Sequence, residues 1–212
     1  MTAASRIVGI VLGSVDRRSV PDMAEAWAQD LETECGKAVP SAEKVRDVCR
    51  QHGVPDALRA RAWQVLLGVV SRKANLETWW EDDDLEIEDL HVVKADVIRT
   101  RQSIQKFKNG DVQKEMEKLL LIYCKCRSVK YTQGLNELLA PFIDLRPDPL
   151  HPTPQPYPYD RNEIFNSFYA LVHKFLPNML RGHDLKTLRR SLQLVFSRSS
   201  SFLLCSMCGF VL

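Results

Sequence analysis

Apolar residues recur along this chain at three- and four-residue intervals, the spacing of one face of an α-helix. Met23, Trp27 and Leu31 form the first such stripe, between Pro21-Asp22 and Gly36. Ser41 offers a hydroxyl N-cap to a second helix carrying Val45, Val48, Cys49 and His52, which Gly53 and Pro55 should end. A third helix opens near Asp56, carries Leu58, Ala62, Val65 and Leu66, and stops at Gly68. Helical spacing resumes at His91 and runs to about Lys106. Asp111 is the expected cap of the next helix, with Val112, Met116, Leu119, Leu120 and Tyr123 inward, and another helix is predicted over Asn136 to Asp144. Asp160-Arg-Asn-Glu163 reads as a capping box ahead of Ile164, Phe165, Phe168, Leu171, Val172 and Phe175, up to Pro177. Asp184 precedes a last stripe of Leu185, Leu188, Leu192, Val195 and Phe196. No run alternates with the two-residue period of a strand, and nothing repeats. The pattern predicts an all-α protein.

Two interruptions stand between these helices. From Trp79 to Asp89, seven of eleven residues are acidic, which reads as a solvated loop or helix face. The segment 146–159 holds six of the chain's eleven prolines. Proline removes a donor and fixes φ, so neither a helix nor a central strand survives there. A loop of polyproline character between two helices is expected. Residues 1–20 show no clear period and read as a loose tail.

Composition narrows the class. The chain has 212 residues, 45% hydrophobic and 26% charged, enough to bury a core without staples. Net charge is +2, which gives no support for nucleic-acid binding. Six cysteines lie at 35, 49, 124, 126, 205 and 208 without a disulfide framework, so small buried thiols are expected. Cys205 and Cys208 form a CxxC pair, but no second pair completes a zinc set. The apolar run Ile7 to Gly13 meets Asp16-Arg17-Arg18 at once and makes a poor signal peptide. The apolar end Phe202 to Leu212 has eleven residues, whereas a membrane span needs about 20. A soluble, cytoplasmic protein is the expectation.

Self-contained catalytic patterns are absent. There is no GxxxxGK[ST] phosphate loop, no HExxH and no GxSxG. Three other segments carry information together. Gly53-Val-Pro-Asp-Ala-Leu-Arg-Ala-Arg-Ala-Trp63-Gln-Val-Leu-Leu-Gly68 is the first. Val93-Lys-Ala-Asp96-Val-Ile-Arg99-Thr100 is the second, and Tyr131-Thr-Gln133-Gly134-Leu-Asn-Glu137 the third. In this order they resemble the TBC domain family, the Rab GTPase-activating proteins. The first matches that family's opening, the second its I-x-x-D-x-x-R-T with Val93 for Ile, and the third its Y-x-Q-G-M with Leu135 for Met. The run Tyr123-Cys-Lys-Cys-Arg-Ser-Val-Lys-Tyr131 further resembles a subset with a downstream rhodanese-like module, whose members act as Golgi and endosome adaptors. Some of that subset have lost the catalytic residues, which this chain keeps.

The resemblance implies a multi-helix TBC-type domain that accelerates GTP hydrolysis by a Rab-family small GTPase. Arg99 would be an arginine finger and Gln133 a glutamine finger acting in place of the GTPase's own glutamine. Asp96, one helical turn before Arg99, would orient it. Thr100, Tyr131 and Gly134 would support the two segments, Gly134 by letting the backbone turn or approach closely. Arg59 and Trp63 would serve the fold. The chain itself would need no cofactor, because GTP and Mg²⁺ arrive with the GTPase, and no metal site is expected.

The resulting division is an N-terminal tail with one helix over 1–40, a partial TBC domain over 41–196 and an atypical Ser-rich, apolar tail over 197–212. The resemblance covers Gly53 to Phe196, about two-thirds of the chain. The family's helices continue past that point, so the domain is expected to be truncated at its C-terminal end. Two other functions stay open on the sequence: a non-catalytic adaptor or vesicle tether peripheral to Golgi or endosomal membranes, and an inactive fragment.

Overall fold

The computed structural model describes residues 23–72, 76–82, 85, 87–146 and 156–176. Among them are eight α-helices and one 3₁₀ helix, with no strand. The helices are α1 (Met23–Gly36), α2 (Ala42–His52), α3 (Asp56–Leu67), α4 (Glu77–Trp80), α5 (Leu90–Arg99), α6 (Gly110–Arg127), α7 (Leu135–Asp144) and α8 (Arg161–Phe175); the 3₁₀ helix spans Gln105–Lys108. The expected helix after Asp184, the tails 1–20 and 197–212, and residues 147–155 of the Pro-rich loop lie outside the described residues.

The chain starts and stops its helices with local chemistry. Ser41 caps α2 by accepting from the Lys44 N–H. Gly68 ends α3 in the left-handed region, φ 66°, where its N–H returns to carbonyls of the last turn. At Asp160 the expected capping box forms: Asp160 accepts from the helix backbone while Glu163 accepts from the Asp160 N–H at 3.0 Å.

Two helix ends differ from expectation. The pattern from His91 to Lys106 is not one helix, because α5 stops at Arg99. The Thr100 hydroxyl donates to the Asp96 carbonyl at 2.8 Å, the acceptor that the Thr100 N–H would take in a continuing helix. The Thr100 N–H turns to Val97 O instead, and Arg101 follows with φ 45°. Side-chain competition of this kind leaves hydrophobic spacing untouched, so periodicity runs through it. The cap of α6 is Asn109, not Asp111. Asn109 accepts from the Asp111 N–H at 2.8 Å, and Asp111 lies in the first turn, where the helix dipole favours a carboxylate.

The main core surrounds α6, whose Met116, Leu119, Leu120, Ile122 and Tyr123 are almost wholly buried. It meets α5 on one side and α7 on another, while α8 lies against α7 and α3. Trp63 of α3 and Phe142 of α7 join edge to face at 5.6 Å and 82°. A second, smaller core forms where α1 and α2 pack on α3, from Leu31, Cys35, Val45, Cys49, Leu58, Ala62 and Val65. Helix α3 therefore serves both cores: Ala60, Trp63 and Leu67 face one, Leu58, Ala62 and Val65 the other. A helix buried on two sides cannot show one clean apolar stripe. Of the acidic stretch, Trp80 lies under the Arg161 guanidinium at 4.2 Å and Leu85 is buried, while Trp79 is exposed.

Candidate functional site

The C-terminal end of α5 and the turn before α7 meet over buried polar side chains. Asp96 points inward from α5 with its side chain 9% exposed, while Arg99 one turn later is 69% exposed. Arg99 Nη2 donates to Asp96 Oδ1 at 2.6 Å. The other carboxylate oxygen, Oδ2, lies 3.1 Å from the Tyr131 hydroxyl. Asp96 thus joins an exposed guanidinium to a buried phenol on a distant segment. Burial, and after it the neighbouring Asp96 charge and hydrogen bond, push the Tyr131 hydroxyl far above the ordinary phenol range. It remains a donor to the carboxylate throughout the physiological range.

The turn is shaped by Gly134, whose φ of 98° lies in the region that favours glycine. Gln133 is exposed at this turn, immediately before α7. The Gly134 N–H donates to Asn136 Oδ1 at 3.2 Å. Asn136 Nδ2 donates in turn to Thr100 Oγ1 at 2.8 Å, and Thr100 Oγ1 donates to Asp96 O. Five of the residues singled out from sequence, Asp96, Arg99, Thr100, Tyr131 and Gly134, are therefore in one hydrogen-bonded network. Gln133 lies beside it, joined through the backbone of Gly134.

Sequence reasoning overlooked two members. Asn136 is buried at the centre of the network, although it stood inside the third motif. Its signal was an amide one residue into a helix, at a position that the apolar pattern assigns inward. Arg101 is the other. Its Nε lies 3.5 Å from Glu137 Oε2, with the arginine side chain buried, and this pair also spans from the end of α5 to the start of α7. Next to Arg99, Ile98 is 58% exposed, an apolar residue on an otherwise polar edge.

The arrangement can present two different polar groups outward. A guanidinium has five donors, and a single bond to Asp96 uses one Nη while fixing the side chain's direction. An exposed amide can accept and donate at once. Nothing at this edge forms a nucleophile–base pair of the kind that covalent catalysis needs. Among the described residues, no group of three potential ligands is placed to hold a metal ion. No helix of the described residues is long and apolar enough to cross a membrane.

Two comparisons bear on this geometry. The family described as the Rab-GTPase-TBC domain matches residues 56–199. The crystal structure of the Ypt/Rab-GAP domain of Gyp1p has a similar fold, with a TM-score of 0.53 and 16% sequence identity. The match covers 84% of this chain and 66% of that one. At that identity the likeness speaks to the fold. It agrees with the all-α architecture that periodicity predicts.

Proposed function

The chain belongs to the Rab-GTPase-TBC domain family, and on that premise we propose that it accelerates GTP hydrolysis by a Rab-family small GTPase, with Arg99 and Gln133 supplied in trans. Hydrolysis spreads negative charge over the phosphoryl oxygens in a loose transition state and needs a water held in line. A guanidinium entering that site stabilises the developing charge, worth about 10³–10⁵ in rate. Arg99 fills this role, oriented by its bond to Asp96. Gln133 accepts from the attacking water through its amide oxygen and donates through its nitrogen. The nucleotide and its Mg²⁺ belong to the GTPase, and the chain contributes charge and geometry alone. Action on a Rab would serve vesicle trafficking, and the resemblance of the run 123–131 to the adaptor subset supports a setting peripheral to Golgi or endosomal membranes.

One observation carries the reading. The two exposed polar side chains follow from separate motifs, yet a single buried network anchors the ends of both segments. A surface ion pair of the ordinary kind needs no such foundation and contributes little to stability. The test is single-turnover GTP hydrolysis across a Rab panel. Stimulation by the wild type is expected, with Arg99→Ala and Gln133→Ala each removing most of it. No stimulation of any Rab by the wild type would overturn the proposal.

A further inference from the structure

We propose that Asn136 is the positioning residue that locks the two finger segments to each other, so that Arg99 and Gln133 are presented as one unit. The inference deepens the Rab reading of this site and rests on it for its functional half.

Asn136 touches the residues next to both fingers. Thr100 directly follows Arg99, and Gly134 directly follows Gln133. Asn136 is bonded to both: Nδ2 to Thr100 Oγ1 at 2.8 Å and Oδ1 to the Gly134 N–H at 3.2 Å. Nδ2 also lies 3.4 Å from Asp96 O, and Oδ1 lies 3.2 Å from the Tyr131 hydroxyl. Both amide protons therefore face acceptors, and Oδ1 accepts from the Gly134 N–H, while the Tyr131 hydroxyl beside it keeps its one proton on Asp96. Chemistry fixes the orientation of the amide, because the Gly134 N–H can only donate and must face Oδ1. With Oδ1 there, Nδ2 faces Thr100, whose own proton is committed to Asp96 O.

No close substitute does this. Aspartate keeps the acceptor but loses both donors, and it brings a second carboxylate towards Asp96. Leucine fills the space and leaves Thr100 Oγ1 and the Gly134 N–H without these partners, a cost that a low-dielectric interior enlarges. A separate tie, the Arg101–Glu137 pair, spans the same two segments further out. It is half exposed on the glutamate side, and solvent weakens it. The buried amide is thus the stiff connection. Displacing a catalytic group by about 1 Å can cost about 10²-fold in rate, and one loosened amide displaces two fingers together.

The experiment has two arms and uses the 212-residue chain. In the first, amide hydrogen exchange is followed at Gly134 in Thr100→Val, which removes the hydroxyl while keeping the shape. Thr100 lies on the far side of Asn136 from Gly134, so faster exchange at Gly134, about 5-fold or more, reports coupling through the amide. Unchanged exchange there overturns the inference, whatever the chain does to a GTPase. In the second arm, Asn136→Ala and Thr100→Val are tested for binding to a Rab carrying GDP and aluminium fluoride, a transition-state mimic, and to the same Rab carrying a non-hydrolysable GTP analogue. Loss of about 10-fold or more for the mimic, with the analogue within about 3-fold, is expected. Equal loss in both states marks a merely structural residue and overturns the inference. If the first arm succeeds but the wild type binds the mimic on no Rab, the Rab reading fails and takes the functional half of the inference with it. Should Asn136→Ala not fold, Thr100→Val carries both arms alone.

Discussion

Replacing Tyr131 by phenylalanine tests the foundation of the site with a single atom. The ring is buried against the main core and stays in place, so packing is kept. What is lost is the hydroxyl 3.1 Å from Asp96 Oδ2. A hydrogen bond to a charged acceptor contributes about 1.5–3 kcal/mol, and the carboxylate keeps its other bond, to Arg99. Against this, burying a phenol costs desolvation that phenylalanine avoids, on the order of 1 kcal/mol. The net loss should be about 0.5–2 kcal/mol. With a urea slope of about 2 kcal/mol/M, the unfolding midpoint should fall by about 0.25–1 M with the slope unchanged. Equilibrium urea unfolding, followed by circular dichroism and by tryptophan fluorescence, gives the value. A midpoint within about 0.1 M of the wild type, or above it, would refute the view that Tyr131 supports Asp96. Stimulation of a Rab should fall less than in Arg99→Ala, because the arginine keeps its tether.

Other consequences concern stability and thiol chemistry. Burial pushes the thiols of Cys35 and Cys49 up to about 11, and that of Cys124 and the Tyr123 phenol up to about 12. For groups raised in the folded state, the stabilisation is complete below the unfolded pKa, about 8.5 for a thiol, and is lost as pH rises through the folded value. Stability should therefore start to decline above about pH 8.5–9 and keep falling towards pH 12, measurable as the urea midpoint against pH; a flat profile to pH 11 would contradict the assignment. Alkylation of the native chain at neutral pH, mapped by peptide mass spectrometry, should label exposed Cys126 well before Cys35, Cys49 and Cys124. Asp160→Ala removes half of the capping box at α8 and should cost about 0.5–2 kcal/mol. Thermal unfolding would show it as a lowered Tm, and an unchanged Tm would remove the cap from the account.

Much of this fold could be read from spacing and end signals. The stripes of α1, α2, α6 and α8, the Ser41 cap and the Asp160–Glu163 box depend on contacts within four residues, which a sequence states directly. The motif residues were legible for a similar reason, since each belongs to a short contiguous run. The ends of α5 and α6 were not. At Thr100 a hydroxyl competes with the backbone for Asp96 O, and at Asn109 one polar residue takes the cap from another two residues on. Those choices turn on fractions of a hydrogen bond that hydrophobic periodicity does not encode.

Local spacing and short motifs suffice for an all-α chain, its main helices and two polar groups as candidates for one chemistry. That the two share a foundation depends on long-range packing. Asp96 and Tyr131 are thirty-five residues apart, and Thr100 and Asn136 thirty-six. Their meeting depends on α5 and α7 being packed side by side next to α6, a consequence of burying apolar faces that are remote in sequence. That same packing excludes water from Asn136, and exclusion is what turns an unremarkable amide into a rigid link between two motifs.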